Sequence, residues 1–250
     1  MKLIVNADDF GYSKGVNFGI IEAYQNGIVT SATLMANMPG AEHAAALAAE
    51  NPGLGVGIHL VLDCGYPVST DIPSLIDENG KFLNAKTVSE QGDPAEIERE
   101  LESQIERFLG FGLKPTHLDS HHHIHGHENV FEIVSRLANK YGIPIRPVSE
   151  SLLKSGRHNP SVHYFDPGFY GENLTNETLI DCIKRSLSYE TAEIMTHPAF
   201  LDEAILSGSS YAMPRVREVS ILTDPKIKDF IREQGVELAT YKEAAGKSVV

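Results

Sequence analysis

The chain has 250 residues, 42% of them apolar and 22% charged, and a formal charge of −13, an ordinary globular balance in a length that suits one α/β domain over residues 1–250. The acidic surplus argues against a phosphate-backbone partner and gives no support for a basic membrane-surface patch, so neither a nucleic acid nor a membrane is expected. No stretch approaches the roughly 18 uncharged apolar residues of a membrane span.

In chain order, Leu3 to Val5 is a short β-rich run, and after Gly11 a helical pattern places Val16, Ile20, Ala23 and Tyr24 on one side. Val29 to Ala36 predicts a second strand, Ala41 to Glu50 an alanine-rich helix, and Val56 to Val61 a third strand ended by Asp63 and Gly65. Ala95 to Leu109 is the clearest predicted helix, with Ile97, Leu101, Ile105 and Phe108 at helical spacing. The acids from Glu96 to Glu106, like Glu42 and Glu50, read as solvated helix faces. A fourth strand runs from about Thr116 into a histidine cluster; Val130, Val134, Leu137 and Tyr141 then mark a helix closed by Gly142. Ile143 to Arg146 predicts a strand, Leu179 to Leu187 a helix and Glu193 to Thr196 a strand, with Lys226 to Glu233 and Val236 to Ala239 completing the series.

Strands separated by helices imply a parallel sheet wrapped in helices, and seven or so units favour a closed or nearly closed barrel. No repeat or low-complexity tract is evident. Three stretches break the alternation: Gly65 to Asp93, Val148 to Asn173 and Ala199 to Thr223. The second carries His163, Tyr164, Phe165, Phe169 and Tyr170, and the third Tyr211, Met213, Pro214 and Arg215. Long connections are often functional. Their aromatics either stack on sugar rings or anchor the loops to the barrel, and both readings stay open. Cys64 and Cys182 form no disulfide framework, and the amino-terminal apolar run is too short for a signal peptide. The expected location is the cytoplasm.

The segment from His117 to His125 puts five of the chain's 11 histidines and one aspartate into nine residues. On an extended backbone His117, Asp119, His121, His123 and His125 would point one way and His122 the other. Imidazoles and a carboxylate converging on one side suit a divalent cation. Asp8 and Asp9 close the first strand, His59 the third and His121 the fourth, and His197 follows the strand ending at Thr196. In a parallel barrel each of these positions lies at the carboxyl-terminal rim, where barrel active sites are built. Singly, each has a plainer reading: Asp8 and Asp9 as turn or helix caps, His59 and His197 as hydrogen-bonded structural histidines. Their coincidence at one rim argues for a site.

Asn6-Ala7-Asp8-Asp9-Phe10-Gly11, Thr30-Ser31-Ala32-Thr33-Leu34-Met35, Gly57-Ile58-His59-Leu60, the run from Pro115 to His125 and Met195-Thr196-His197-Pro198-Ala199-Phe200 resemble the YdjC-like carbohydrate deacetylases, a family that includes chitooligosaccharide deacetylases. The match extends nearly end to end and includes Tyr211 with Pro214-Arg215. The resemblance implies a distorted (β/α) barrel related to polysaccharide deacetylases, acting on the N-acetyl group of an acetylated amino sugar. It implies Asp9, His59 and His121 as metal ligands with magnesium as the usual ion, and, by analogy with the wider superfamily, Asp8 as general base and His197 as general acid. On donor type alone two histidines and a carboxylate suit zinc better than magnesium, so zinc stays open. Asp119 and His123 are candidates to orient His121. His125 either contacts substrate or ends the strand, and Tyr211 and Arg215 are further candidates around the site. A metal-dependent phosphoesterase, with Arg146 and Arg215 as anion anchors, is the alternative enzyme class, and a metal-storage or sugar-binding protein the non-enzymatic one. A homodimer stays open.

Overall fold

The molecule, a computed structural model, is described for residues 1–148 and 160–244. Its first strand, β1 (Lys2–Phe10), is buried from Leu3 onward, as expected of a strand covered on both faces. It sits mid-sheet. β2 (Ser31–Leu34), β3 (Gly55–Leu60) and β4 (Leu118–Ser120) follow on one side, and β6 (Thr191–Thr196) and β5 (Tyr164–Asp166) on the other. The short β7 (Glu237–Leu238) pairs the beginning of β1. Every strand pairing is parallel. Beyond β4 the curl continues through single parallel bridges, Leu118 to Ile145 and Ile145 to Pro160, toward the segment that enters β5. The result is a curled, parallel half-barrel with helices outside, as expected.

The helices α1 (Lys14–Gln25), α2 (Ala41–Glu50), α3 (Ala85–Gln91), α4 (Pro94–Gly110) and α5 (Glu128–Tyr141) precede β5; α6 (Asn176–Ser186), α7 (Glu203–Gly208), α8 (Met213–Leu222), α9 (Pro225–Glu233) and α10 (Tyr241–Ala244) follow it. Their ends obey local chemistry. Asp93 caps α4 by accepting from the Ala95 and Glu96 N–H groups, with Pro94 in the first turn. Gly142 closes α5 at φ 67, a conformation that spares glycine the Cβ penalty. Ile97, Leu101, Ile105 and Phe108 of α4 are buried against the sheet, each contributing about 1.5–3 kcal/mol.

Four expectations need correction. The acids of α4 are not all solvated: Glu100 is fully buried and accepts from the Val68 and Ser69 N–H groups, while Glu96 accepts from Ser74. Ile143 to Arg146 is reduced to two isolated bridges at Ile145, to Leu118 and to Pro160, because Pro144 and Pro147 remove ladder donors on either side. The extended run ends at Ser120, and His121–Gly126 winds into a 3₁₀ turn with His122 and His123 at φ 49 and 52. There the Ser120 hydroxyl accepts from the His125 N–H at 3.0 Å, a local bond that replaces the ladder. Finally, the irregular stretches hold α3, α7, α8 and β5. Residues 149–159 of the Val148 to Asn173 connection lie outside the described residues.

Candidate active site

Adjacent residues on a regular strand face opposite ways, yet Asp8 and Asp9 both line one cavity of about 520 Å³ at the carboxyl ends of the strands. The reason is a break in β1: its register with β2 shifts between Ala7 and Phe10, and Asp9 sits at φ 69. Such a bulge turns a second side chain to the same side. Asp9, His122 and His123 are three of the four non-glycine residues at positive φ among those described, and all three line this cavity. Backbone strain of that kind concentrates where a site is built.

The structure brings Asp9, His59 and His121 together, with one ligand atom from each mutually within 4.8 Å. Asp9 Oδ1 lies 2.9 Å from His121 Nδ1 and 3.3 Å from His59 Nε2, and Asp9 Oδ2 accepts from Arg215 Nη2 at 2.6 Å. Asp119 supports His59 rather than His121, its Oδ1 lying 2.6 Å from His59 Nδ1. Its other oxygen accepts from Thr33 and pairs with Arg146. Two imidazoles and a carboxylate, with one imidazole steadied from behind by a second carboxylate, fit a divalent cation. Burial pushes the His59 imidazole down, but the Asp119 carboxylate reverses this and raises it to about 10, so proton and cation compete for that ring. Asp63, His121 and His122 form another such group, but the His122 side chain is 65% exposed. Asp8, His59 and Asp119 form a third, and there both carboxylates are already paired with Arg146.

Arg146 is a central residue that the sequence reading cast only as an anion anchor. Fully buried, it donates from Nη1 and Nη2 to the two oxygens of Asp8 at 2.7 and 2.6 Å and from Nε to Glu193 at 2.7 Å. Burial by itself pushes the Asp8 carboxyl up; the guanidinium more than reverses this and holds it far below the usual carboxylate range. Asn6 also donates to Asp8, at 2.8 Å. Asp8 is therefore an ionised carboxylate inside a nearly closed wall.

On α8, begun by Pro214 in its first turn, Arg215 reaches Asp9 and Glu218 reaches His197. The His197 N–H donates to Glu218 Oε2 at 2.5 Å, and His197 Nδ1 stands 4.0 Å from Oε1. Tyr211 donates its hydroxyl to the same carboxylate at 2.8 Å. Burial, and next the Arg215 charge, push His197 down to about 3. Burial lifts Glu218 to about 8. Nothing in the sequence marked Glu218, which reads as one more helix acid.

The remaining candidates divide. Tyr211 and Arg215 line the cavity, as does His123. The His123 ring packs edge-on against Phe165, with centroids 5.6 Å apart. His125 is buried between the Ser120 hydroxyl and the Arg146 carbonyl; it lies in the turn after the strand, neither ending the strand nor lining this cavity. His117 stacks on Tyr241 at 3.5 Å, also away from the cavity.

A family model described as YdjC-like protein matches residues 2–233. A carbohydrate deacetylase of Geobacillus stearothermophilus is 55% identical over 240 residues, covering 96% of each chain. A chitooligosaccharide deacetylase of Serratia marcescens is 42% identical over 250 residues, 96% of this chain and 98% of that one. The crystal structure of an Enterococcus faecalis V583 protein superposes with a TM-score of 0.91 at 36% identity, covering 97% of this chain and 98% of that one. A family 4 carbohydrate esterase from Streptomyces lividans, in complex with acetate, shares the fold at a TM-score of 0.54 and 12% identity, over 96% of this chain and 92% of that one.

Proposed function

This chain belongs to the YdjC-like family, and on that premise we propose that it is a metal-dependent hydrolase that removes the acetyl group from an N-acetylated amino sugar. One observation carries the reading: a cation-fitting triad, an ionised aspartate and a histidine line a single cavity, with the buried Glu218 behind that histidine. Amide hydrolysis needs all three, since the carbonyl is a poor electrophile and the amine leaves only when protonated.

Asp9, His59 and His121 would hold the ion. Bound there, a divalent cation supplies Lewis acidity to the acetyl carbonyl and acidifies water. Asp8, kept ionised by Arg146, takes the proton of the attacking water. His197 delivers a proton to the departing nitrogen. Its ring alone does not hold one at neutral pH, since burial and Arg215 push it to about 3. Glu218, whose carboxyl burial lifts to about 8, stands 4.0 Å from the His197 Nδ1, an atom with no hydrogen-bond partner among the described residues; we assign the proton to that carboxyl and its delivery to His197, which faces the cavity. Arg215 and Asp119 are positioning residues, the first fixing Asp9 and the second His59.

The phosphoesterase alternative loses Arg146 as an anion anchor, because that guanidinium is buried against carboxylates; Arg215 pairs with Asp9 through Nη2, while its Nη1 has no hydrogen-bond partner among the described residues. Zinc suits the imidazole-rich donors, and magnesium follows from the family resemblance. Acetate release from N-acetylglucosamine and its β-linked oligomers, by protein stripped with chelator and reloaded with each ion, tests the reading and ranks the ions. Release restored by a divalent cation supports it; turnover of a phosphate ester with no acetate from any sugar overturns it.

A further inference from the structure

Tyr170 and Asp63 line the same cavity and have no part in the chemistry above. Tyr170 is 53% exposed yet firmly placed. One face stacks on Tyr211 at 4.1 Å and 18°, and its ring meets the His197 imidazole edge-on at 5.5 Å. Tyr211 is itself buried and tied to Glu218 and to the Gly171 N–H. Beside the group that serves the leaving nitrogen there is thus a flat apolar surface with a rigid backing. Asp63 supplies the opposite character. Its side chain is 3% exposed, and Oδ2 lies 2.6 Å from His122 Nδ1. Oδ1 is buried without a hydrogen-bond partner among the described residues. The loop that carries it is pinned to α4 through Gln104, bonded to both backbone groups of Val61, and through Glu100. A buried acceptor left unmatched is costly unless a ligand donates to it.

We propose that Tyr170 and Asp63 form the two walls of a pyranose subsite, Tyr170 stacking on the C–H face of the amino-sugar ring and Asp63 Oδ1 accepting from one of its hydroxyls. A ligand that uses both walls must present an apolar face and a donor-bearing edge in one compact ring, and a sugar does so. An alkyl chain or an unsubstituted aromatic ring leaves Asp63 unmatched, and a phosphate is repelled by the carboxylate. The assignment of this ring to the leaving amine rests on the deacetylase reading; the subsite itself does not.

The test uses the metal-loaded full chain. Steady-state acetate release from N,N′-diacetylchitobiose gives KM and kcat, and calorimetric binding of the deacetylated disaccharide reads the subsite without turnover. Tyr170→Ala is expected to raise KM and weaken product binding roughly tenfold, while Tyr170→Phe, which keeps the ring, stays within about twofold. Asp63→Ala is expected to weaken both roughly tenfold as well. Melting curves confirm that each variant is folded. Tyr170→Phe losing as much as Tyr170→Ala would overturn stacking, and wild-type KM and affinity in Asp63→Ala would overturn the polar wall. Sugar binding that depends on Tyr170 without acetate release keeps the subsite and removes the deacetylase reading. Acetate release with KM and affinity indifferent to Tyr170→Ala does the reverse.

Discussion

Asp8 and Asp9 are chain neighbours with different partners, and the partners sort their roles. Asp9 shares one oxygen with two imidazoles, whereas both oxygens of Asp8 face the Arg146 guanidinium. Asp9→Ala or His59→Ala should therefore lose metal and turnover together, as read by elemental analysis beside acetate release. Asp8→Asn should keep its metal and lose turnover by roughly two to four orders of magnitude; near-normal turnover would remove it as base. The donor pair makes a pH prediction. Glu218, lifted by burial to about 8, holds its proton below that pH and loses it above. The kcat for amide cleavage should accordingly fall on the alkaline side through about pH 8, and Glu218→Gln should lower kcat and erase that limb. Cleavage of an activated ester, whose leaving group needs no proton, should lack the limb in both proteins. Asp8, Asp9, His59, His121 and His197 were legible as one cluster because each ends a predicted strand. Glu218 was not recognised and Arg146 was read only as an anion anchor, because a helix acid and a buried cation look like surface residues until a fold supplies their partners.

The elements that deliver these groups differ in how plainly the sequence announces them. Amphipathic helices such as α4 and α5 are set by long apolar periodicity, and their observed ends lie within two residues of the expected ones. Short strands and turns obey nearby atoms instead. The bulge at Asp9, the 3₁₀ turn after Ser120 and the prolines beside Ile145 are each decided by one or two residues. Strand β3 illustrates the same dependence on tertiary contact: a Cβ at Gly57 would meet the His117 ring at 2.4 Å. Gly57→Ala should overpack this contact and cost about 1–3 kcal/mol, seen as a lower melting temperature. Because His59 lies two residues on, the variant should also bind metal more weakly. An unchanged melting temperature would show that His117 moves freely, contrary to its stacking on Tyr241.

For the molecule as a whole, the curled parallel sheet gathers side chains from β1, β3 and from just beyond β4 and β6 at one mouth, although they are spread from Asp8 to His197 in the chain. The barrel interior beneath that mouth is held by charge as well as by apolar packing: Arg146 pairs with Asp8, Asp119 and Glu193. Removing the guanidinium in Arg146→Met would take from three buried carboxylates the cation they share, leaving only Asp119 a charged partner in His59, and breaking buried pairs of this kind costs about 3–5 kcal/mol. Denaturant unfolding should show that loss, with turnover falling beside it. The role we propose for one cation, held by Asp9, His59 and His121, is to make the rim a deacetylase. Its most direct test is a titration of chelator-stripped protein with zinc or magnesium while acetate release from N,N′-diacetylchitobiose is followed. The account predicts no release without metal, saturation at one equivalent with the preferred ion, and no recovery in His59→Ala. Full release from the stripped protein would contradict it.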